Sequence, residues 1–146
     1  MEPLDYSIFP EQTVIPATFG QRLGASLLDG LIVGVAGLIV GAIFGSSTNF
    51  WSGFNPITTA VNTIVGWLYF ALQESGNSQA TIGKKALGIK VTNMNGEKHT
   101  FGQATGRHFA KWISAILLLF GYFMMLWDDK SQTLHDKIAG ALVVRS

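Results

Sequence analysis

The most constraining feature of the sequence is a hydrophobic run that carries two charges near its start. Residues 22–45 read RLGASLLDGLIVGVAGLIVGAIFG, and Arg22 and Asp29 are the only charged side chains in the run. A helix rises about 1.5 Å per residue, so residues 23–44 extend about 33 Å and can cross a hydrocarbon core of about 30 Å. The run therefore predicts a membrane-spanning helix over about residues 22–44, with a polar corner near one end. Thr18 is the predicted N-cap, which places the first helical residue between Phe19 and Arg22.

Two further hydrophobic segments follow, over residues 54–72 and 109–127. Only 13% of the residues are charged, against about 25% in a typical soluble domain. We therefore expect an all-α integral membrane protein with two full transmembrane helices and a third hydrophobic segment, which is either a full span or re-entrant. In this interpretation residues 19–146 form a single membrane domain, and residues 1–18 form a mobile N-terminal arm.

The distribution of basic residues predicts how the chain is oriented. Residues 74–108 hold five Lys and Arg side chains, whereas the loop over residues 46–53 holds none. By the positive-inside rule, residues 74–108 and the N-terminus are therefore cytoplasmic. Three of these lysines either orient the segment or attract anionic lipid, and each attraction contributes about 1 kcal/mol to membrane binding. They are Lys84, Lys85 and Lys90. For residues 128–146, charge bias favours the cytoplasm, whereas the length of the third segment favours crossing.

Local signals predict a small cytoplasmic cap made of residues 74–108 and 128–146. The stretch TIGKKALGI indicates a short surface helix or turn, and Asn95-Gly96 is typical of a β-hairpin. In the tail, we expect a helix with Ser131 as its N-cap and Gly140 as its C-cap, followed by a short strand, ALVV. That strand can pair with the strand near Val91 only if both lie on the same side of the membrane.

Asp29 is the sharpest candidate for a functional residue. A carboxylate inside a membrane helix costs roughly 2.5–3.5 kcal/mol, so it needs a partner, water or a proton. One interpretation is a proton- or cation-binding site, and the other is a structural ion pair with Arg22, Arg107 or Lys111. Arg22 lies about 10 Å from Asp29 along the helix axis, which allows a shared network and disfavours direct contact.

Two stripes on the predicted helices indicate packing surfaces. Gly30, Gly34, Gly37 and Gly41 recur at GxxxG spacing, which is typical of close helix packing within a chain or between copies. Asn62 belongs to a polar stripe on the second hydrophobic segment. For this stripe we favour hydrogen bonds between helices over the lining of a transport path.

The tail contributes a second acidic candidate. Adjacent residues point to different faces of a helix, so His135 beside Asp136 does not by itself establish a proton relay. We favour a surface helix in which Asp136 caps the helix or pairs with Arg22. If the tail is cytoplasmic, Arg22, Asp29 and Asp136 could form one cluster. Residues that could support this cluster are Asn62, Arg107, Lys111 and His135.

Several function classes are disfavoured by what the sequence lacks. There is no cysteine, which excludes thiolate catalysis and cysteine metal sites, and the three histidines have no metal-ligand spacing. The net charge of +1 without a clustered basic face argues against nucleic acid. The phosphate-binding loop, dinucleotide fingerprint and nucleophile elbow are all missing. We therefore expect no enzymatic activity, no cofactor and no metal site.

Several motifs, taken in order, resemble the RDD family of membrane proteins. They are an Arg that opens the first span, an Asp one-third into it, TIGKKALGIKVTNMNG, and QTLHDKIAGALVV. The resemblance covers residues 19–145 and implies that the family's one Arg and two Asp correspond to Arg22, Asp29 and Asp136. Ala141 departs from the small polar residue that many relatives have after the Gly.

The resemblance implies a membrane protein for which a role in transport has been suggested. Our first hypothesis is an oligomeric transporter of protons or small cations in the cell inner membrane, which uses the Arg22, Asp29 and Asp136 cluster. Two or three spans can hardly enclose a path alone, so this role requires a second copy or a partner membrane protein. The alternative is a non-transporting adaptor or scaffold that binds a partner protein.

Overall fold

The structure is a computed structural model that describes residues 15–44, 55–117 and 120–146. The predicted loop over residues 46–53 and most of the predicted arm over residues 1–18 lie outside the described residues. The described helices are α1 (Phe19–Ile43), α2 (Pro56–Ser75), α3 (Ile82–Ala86), α4 (Phe101–Ile116), α5 (Phe120–Phe123) and α6 (Leu134–Ala139). A 3-10 turn spans Met124–Leu126, and the strands are β1 (Ile89–Asn93) and β2 (Ala141–Arg145).

Helix α1 begins where the sequence predicts. The Thr18 hydroxyl accepts from the Gln21 backbone N–H, and the Gln21 side chain accepts from the Thr18 backbone N–H in return. This capping box satisfies N–H groups that the first helical turn leaves unpaired. Of the helices in the described ranges, α1 alone is long and apolar enough to cross a membrane. One face of α1 is strongly exposed and apolar, including Leu27, Leu31 and Leu38.

Helix α2 lies antiparallel against α1, as a helical hairpin requires. The Asn55 side chain accepts from the backbone N–H groups of Ile57 and Thr58, and Pro56 occupies the first helical position, where no N–H is needed. Contacts between the two helices occur in opposite chain order, at Gly37 with Asn62, Val33 with Gly66 and Asp29 with Tyr69. A second full membrane span over residues 54–72 remains a prediction.

The third hydrophobic segment is divided among several elements. Helix α4 starts at Phe101, eight residues before the predicted segment over residues 109–127, because Thr100 and Gln103 form a second capping box there. The helix ends at Ile116, and α5 and the 3-10 turn follow. Part of the stretch that we predicted as polar cap is therefore helix α4, which packs on α2 through a hydrogen bond from Trp67 Nε1 to Thr105 Oγ1 of 3.1 Å.

The two strands form an antiparallel sheet in which Val91 is opposite Val143. The sequence allowed ALVV to pair with the strand near Val91 only on a common side of the membrane, and the two strands do pair. The predicted β-hairpin is wrong, although a tight turn does form, with Gly96 at φ 82°. After this turn the chain runs to the α4 N-cap, and β2 from the tail takes the place beside β1. The sheet, Ala17 and Ala25 enclose a small apolar core.

The tail helix starts later than we predicted. Thr133, not Ser131, is the N-cap of α6, and Asp136 completes its capping box. Gly140 ends the helix in the left-handed region at φ 62°, where glycine carries no Cβ penalty, so the predicted C-cap is confirmed. Asp136 caps the helix and pairs with Arg22, as we predicted. The helix is exposed at Lys137 and Ile138, whereas His135 and Asp136 are both buried.

Candidate functional site

A buried ion-pair network joins the tail to the helices, and Asp136 lies at its centre. The Asp136 carboxylate is fully buried and accepts from Arg22 Nη1, from Arg107 Nε at 2.8 Å and from the Thr133 backbone N–H at 3.2 Å. Burial alone would raise the pKa of Asp136, but the charges of Arg107 and Arg22 outweigh it and hold the pKa well below the usual value. Asp136 therefore acts as an ionised anchor for both arginines.

Arg107 extends the network to a second carboxylate, Glu74 at the end of α2. Its Nη1 lies 2.7 Å from both Glu74 carboxylate oxygens, and Lys84 Nζ donates to the same group. Arg107 is only 3% exposed and Glu74 only 1% exposed. The five charged residues come from α1, α2, α3, α4 and α6, so the network fastens the cap and the tail to the ends of the long helices.

Asp29 forms a separate site in which the hydrogen-bond donors, among the described residues, are all neutral. Its carboxylate accepts from Tyr69 OH at 2.8 Å, from Thr81 Oγ1 at 2.5 Å and from the Gly83 backbone N–H at 2.9 Å. These three donors are neutral, and the described ion pairs do not include Asp29. The predicted pairing of Asp29 with Arg22, Arg107 or Lys111 is therefore wrong, as is a single cluster of Arg22, Asp29 and Asp136.

Helix α3 reaches Asp29 because its second residue is glycine. A Cβ on Gly83 would overlap the Ala25 carbonyl oxygen and would lie 2.8 Å from Asp29 Oδ1. Gly83 therefore lets α3 approach the backbone of α1 closely enough to donate its N–H. The Thr81 hydroxyl caps α3 and also donates to Asp29, so this end of the cap is tied to α1 by two adjacent donors.

The other predicted residues occupy different roles. Arg107 belongs to the ion-pair network, whereas Lys111 lies over the ring of Phe70, with Nζ 4.3 Å from the centroid. His135 Nδ1 lies 3.3 Å from Ser114 Oγ, and burial lowers its pKa to about 3, which keeps the ring neutral at physiological pH. Asn62 contacts Gly37, and its Oδ1 is buried without a hydrogen-bond partner among the described residues.

Sequence reasoning missed two members of the network, Glu74 and Lys84. Lys84 was expected to orient the cap or attract lipid, but it is buried against Glu74. Burial lowers the pKa of Lys84, and the charge of Glu74 opposes this effect. One signal in the sequence could have identified Glu74, which is the first charged residue after the uncharged segment over residues 54–72. A carboxylate at such a helix end needs a cationic partner when other elements pack over that end.

A cavity of about 850 Å³ lies between α1 and α4 and opens beside the network. Gly30 and Gly34 line it and have no other atoms within 4 Å of their added Cβ positions. Of the predicted glycine seam, Gly37 is the position that meets α2, through Asn62, and Gly41 is partly exposed. Packing between copies through this stripe stays a prediction. Within the described ranges, no group of three metal-ligating side chains could hold a metal ion.

Comparisons of this chain with known proteins identify a family and several related proteins. The family model described as the RDD family matches residues 16–140. The uncharacterized protein YxaI of Bacillus subtilis is 34% identical over 148 residues, which cover 88% of this chain and 97% of that protein. The proline-rich antigen homolog of Mycobacterium tuberculosis is 38% identical over 85 residues, which cover 55% of this chain and 35% of that protein.

The proline-rich antigen of Mycobacterium leprae is 36% identical over 64 residues, which cover 43% of this chain and 26% of that protein. No solved structure matches this chain. The family match includes Arg22, Asp29 and Asp136, which lie in the two polar sites described above. Because the match covers most of the chain, this protein is a member of the RDD family.

Proposed function

We propose that the protein crosses the membrane with α1 and α2 and carries its cap and tail together in the cytoplasm. The exposed leucine face of α1 supports the first span, and the antiparallel contact with α2 supports the second. The pairing of β1 with β2 supports a common side for residues 74–108 and the tail, because paired strands cannot be separated by a bilayer. The five basic residues of residues 74–108 favour the cytoplasm.

The ion-pair network has a structural role in this proposal. Removing charges from water costs several kcal/mol per ion, and a buried network recovers this only when each charge is well paired. Glu74 and Asp136 each meet two cations, and Arg107 is shared between them. Such a saturated arrangement leaves neither carboxylate free to bind a passing cation, and it holds the cap in one orientation relative to the helices.

The function that this geometry supports best is that of a non-transporting membrane adaptor, which presents a rigid cap to a partner protein. The observation that carries the proposal is the bridge from Glu74 through Arg107 to Asp136, because it makes the cap and helices one rigid unit. The cap also presents large apolar side chains to solvent, which are typical contacts for a protein partner; they are Ile82, Met94 and Ile138.

Site-specific photo-crosslinking tests the adaptor proposal. A photoreactive residue at Met94, which is exposed on the cap, should yield one discrete protein adduct in cells. The same residue at Leu27, on the apolar face of α1, serves as the control and should yield lipid adducts. If Met94 gives no protein adduct, the adaptor role is refuted.

Proton or cation transport in an oligomer is the second candidate, and one observation favours it. Asp29 is a buried carboxylate that lines the cavity and accepts hydrogen bonds from neutral donors alone among the described residues. A carboxylate in this setting can take up a proton or a cation. The test is flux in proteoliposomes driven by a pH or sodium gradient. Flux that Asp29→Asn abolishes would establish transport, and its absence in wild-type protein would exclude it.

A further inference from the structure

The cavity between α1 and α4 combines a cationic end with an apolar groove. Arg22, Lys84, Arg107 and Lys111 line one end, and Asp29 is the only carboxylate among the described residues of the lining. Beyond them, the walls are mainly small or apolar and include Val33, Gly34, Trp112 and Ala115, with the polar Asn62 beside Gly37. From Arg22 to Gly37 the groove follows α1 for about 22 Å at the helix rise. A ligand that fills both parts must be charged at one end and apolar along its length.

The sign of the charged end selects an anion. The four cations face two carboxylates of the network, Glu74 and Asp136, and the single carboxylate of Asp29, so one positive charge remains in excess. Lys111 lies outside the described ion pairs and contacts the ring of Phe70. Burial lowers the pKa of Lys111 to about 7, and an anion bound beside it would favour the protonated, charged form. A site with this balance attracts a phosphate or carboxylate and repels a cation.

Unpaired polar atoms at the same end also favour a ligand. Arg22 Nε and His108 Nδ1 are buried and have no hydrogen-bond partner among the described residues, and both residues line the cavity. Buried polar groups are normally paired, because an unmade hydrogen bond costs about 1–3 kcal/mol. Burial lowers the pKa of His108 to about 4, so its ring is neutral. Oxygen atoms of an anionic headgroup could accept from Arg22 Nε and from the Nδ1–H tautomer of the neutral His108 ring.

We propose that this groove binds an acidic membrane phospholipid, with the headgroup phosphate at Arg22, Arg107 and Lys111 and an acyl chain along Gly30, Gly34 and Gly37. The open space over Gly30 and Gly34 is the path by which the acyl chain enters from the bilayer. The proposal rests on the membrane location proposed above, but it does not depend on a protein partner or on transport.

Lipid retention measured by native mass spectrometry in detergent tests the proposal. Purified protein is mixed with phosphatidylglycerol, with phosphatidylcholine of the same acyl chains, or with glycerol 3-phosphate. We expect one phosphatidylglycerol bound per chain and at least tenfold weaker binding of the other two. Equal binding of both lipids would overturn the proposal, and so would equal binding of glycerol 3-phosphate, which would indicate a site for a free anion.

Two variants and one control locate the lipid. Lys111→Gln should weaken phosphatidylglycerol about fivefold, the amount expected for one lysine. Lys85→Gln removes the same charge from an exposed position on α3 and should leave binding unchanged. Gly34→Phe fills the open groove and should abolish retention of the lipid. If Gly34→Phe retains wild-type binding, the groove is not the site.

The result of the lipid-binding measurement is independent of the adaptor role, because lipid binding in detergent requires neither a partner protein nor an oriented bilayer. Loss of the Met94 adduct with normal lipid binding would refute the adaptor alone. Failure of phosphatidylglycerol to bind, with the Met94 adduct intact, would refute the lipid site alone.

Discussion

Replacement of Arg107 should destabilise the protein more than any other single change in the network. Arg107 is 3% exposed and donates to Glu74 at 2.7 Å and to Asp136 at 2.8 Å. Breaking a buried pair typically costs about 3–5 kcal/mol, and Lys84 and Arg22 each keep one partner in place. We therefore expect Arg107→Gln to lower the free energy of unfolding by about 3 kcal/mol, at the lower end of that range.

The effect can be measured as loss of monodisperse protein after heating in detergent. For a chain of this size about 1 kcal/mol corresponds to roughly 3 °C, so the midpoint should fall by roughly 10 °C. Arg145→Gln removes an exposed arginine from β2 and serves as the matched control, with a shift of less than about 2 °C.

A second variant distinguishes charge loss from lost packing. Adding Glu74→Gln to Arg107→Gln also takes the carboxylate from the buried Lys84, so the double variant should be less stable than Arg107→Gln if charge pairing matters, and equally stable if only packing was lost. An unchanged midpoint for Arg107→Gln would refute the reasoning, because it would mean that Glu74 and Asp136 do not depend on this cation.

Three further predictions concern the cap and the tail. Gly83→Ala should reduce the folded yield, because its Cβ would overlap the Ala25 carbonyl oxygen; Gly106→Ala, with open space around its Cβ position, is the helical control. Asp29→Asn replaces one of the two acceptor oxygens by an NH2 donor, so at least one of the three hydrogen bonds is disrupted, and the change should cost about 1–3 kcal/mol in a denaturant titration. A neutral result would mean that these bonds are not made. Burial lowers the pKa of His135 from 6.5 to about 3. Between these two pH values the unfolded chain binds a proton at His135 that the folded chain does not bind. The free energy of unfolding should therefore fall as the pH drops below about 6.5, by at most about 1.4 kcal/mol per pH unit. His135→Gln should flatten this dependence between pH 7 and pH 5, and an equally steep slope in the variant would contradict it.

Local signals in the sequence predicted the ends of several elements. The caps at Thr18 and Gly140 depend on residues within one helical turn, so their side chains and backbone preferences are visible in the sequence itself. The strand pairing near Val91 could be predicted only for the case in which both strands lie on the same side of the membrane, because each short apolar run needed a partner strand. The hairpin prediction failed because Asn95-Gly96 indicates a turn without indicating which strand lies beside β1.

The partners of the charged residues were harder to predict. Asp29 meets Thr81 and Gly83, which lie 52 and 54 residues further along the chain, and no periodicity relates them. Arg107 meets Glu74 at a separation of 33 residues. These contacts arise from how α3 and α4 pack against the long helices, which hydropathy and spacing do not specify. The Arg22–Asp136 pair was predicted because both residues needed a partner at the same end of the first span.

A double-mutant cycle between Arg22 and Asp136 tests most directly whether the tail is fastened to the first helix. The two residues are 114 positions apart in the sequence, and their side chains are 11% and 0% exposed. Unfolding free energies are measured for the wild type, Arg22→Gln, Asp136→Asn and the double variant. A coupling energy of about 1–3 kcal/mol is the expected result. Effects that add within about 0.5 kcal/mol would contradict a buried network that joins the tail to α1.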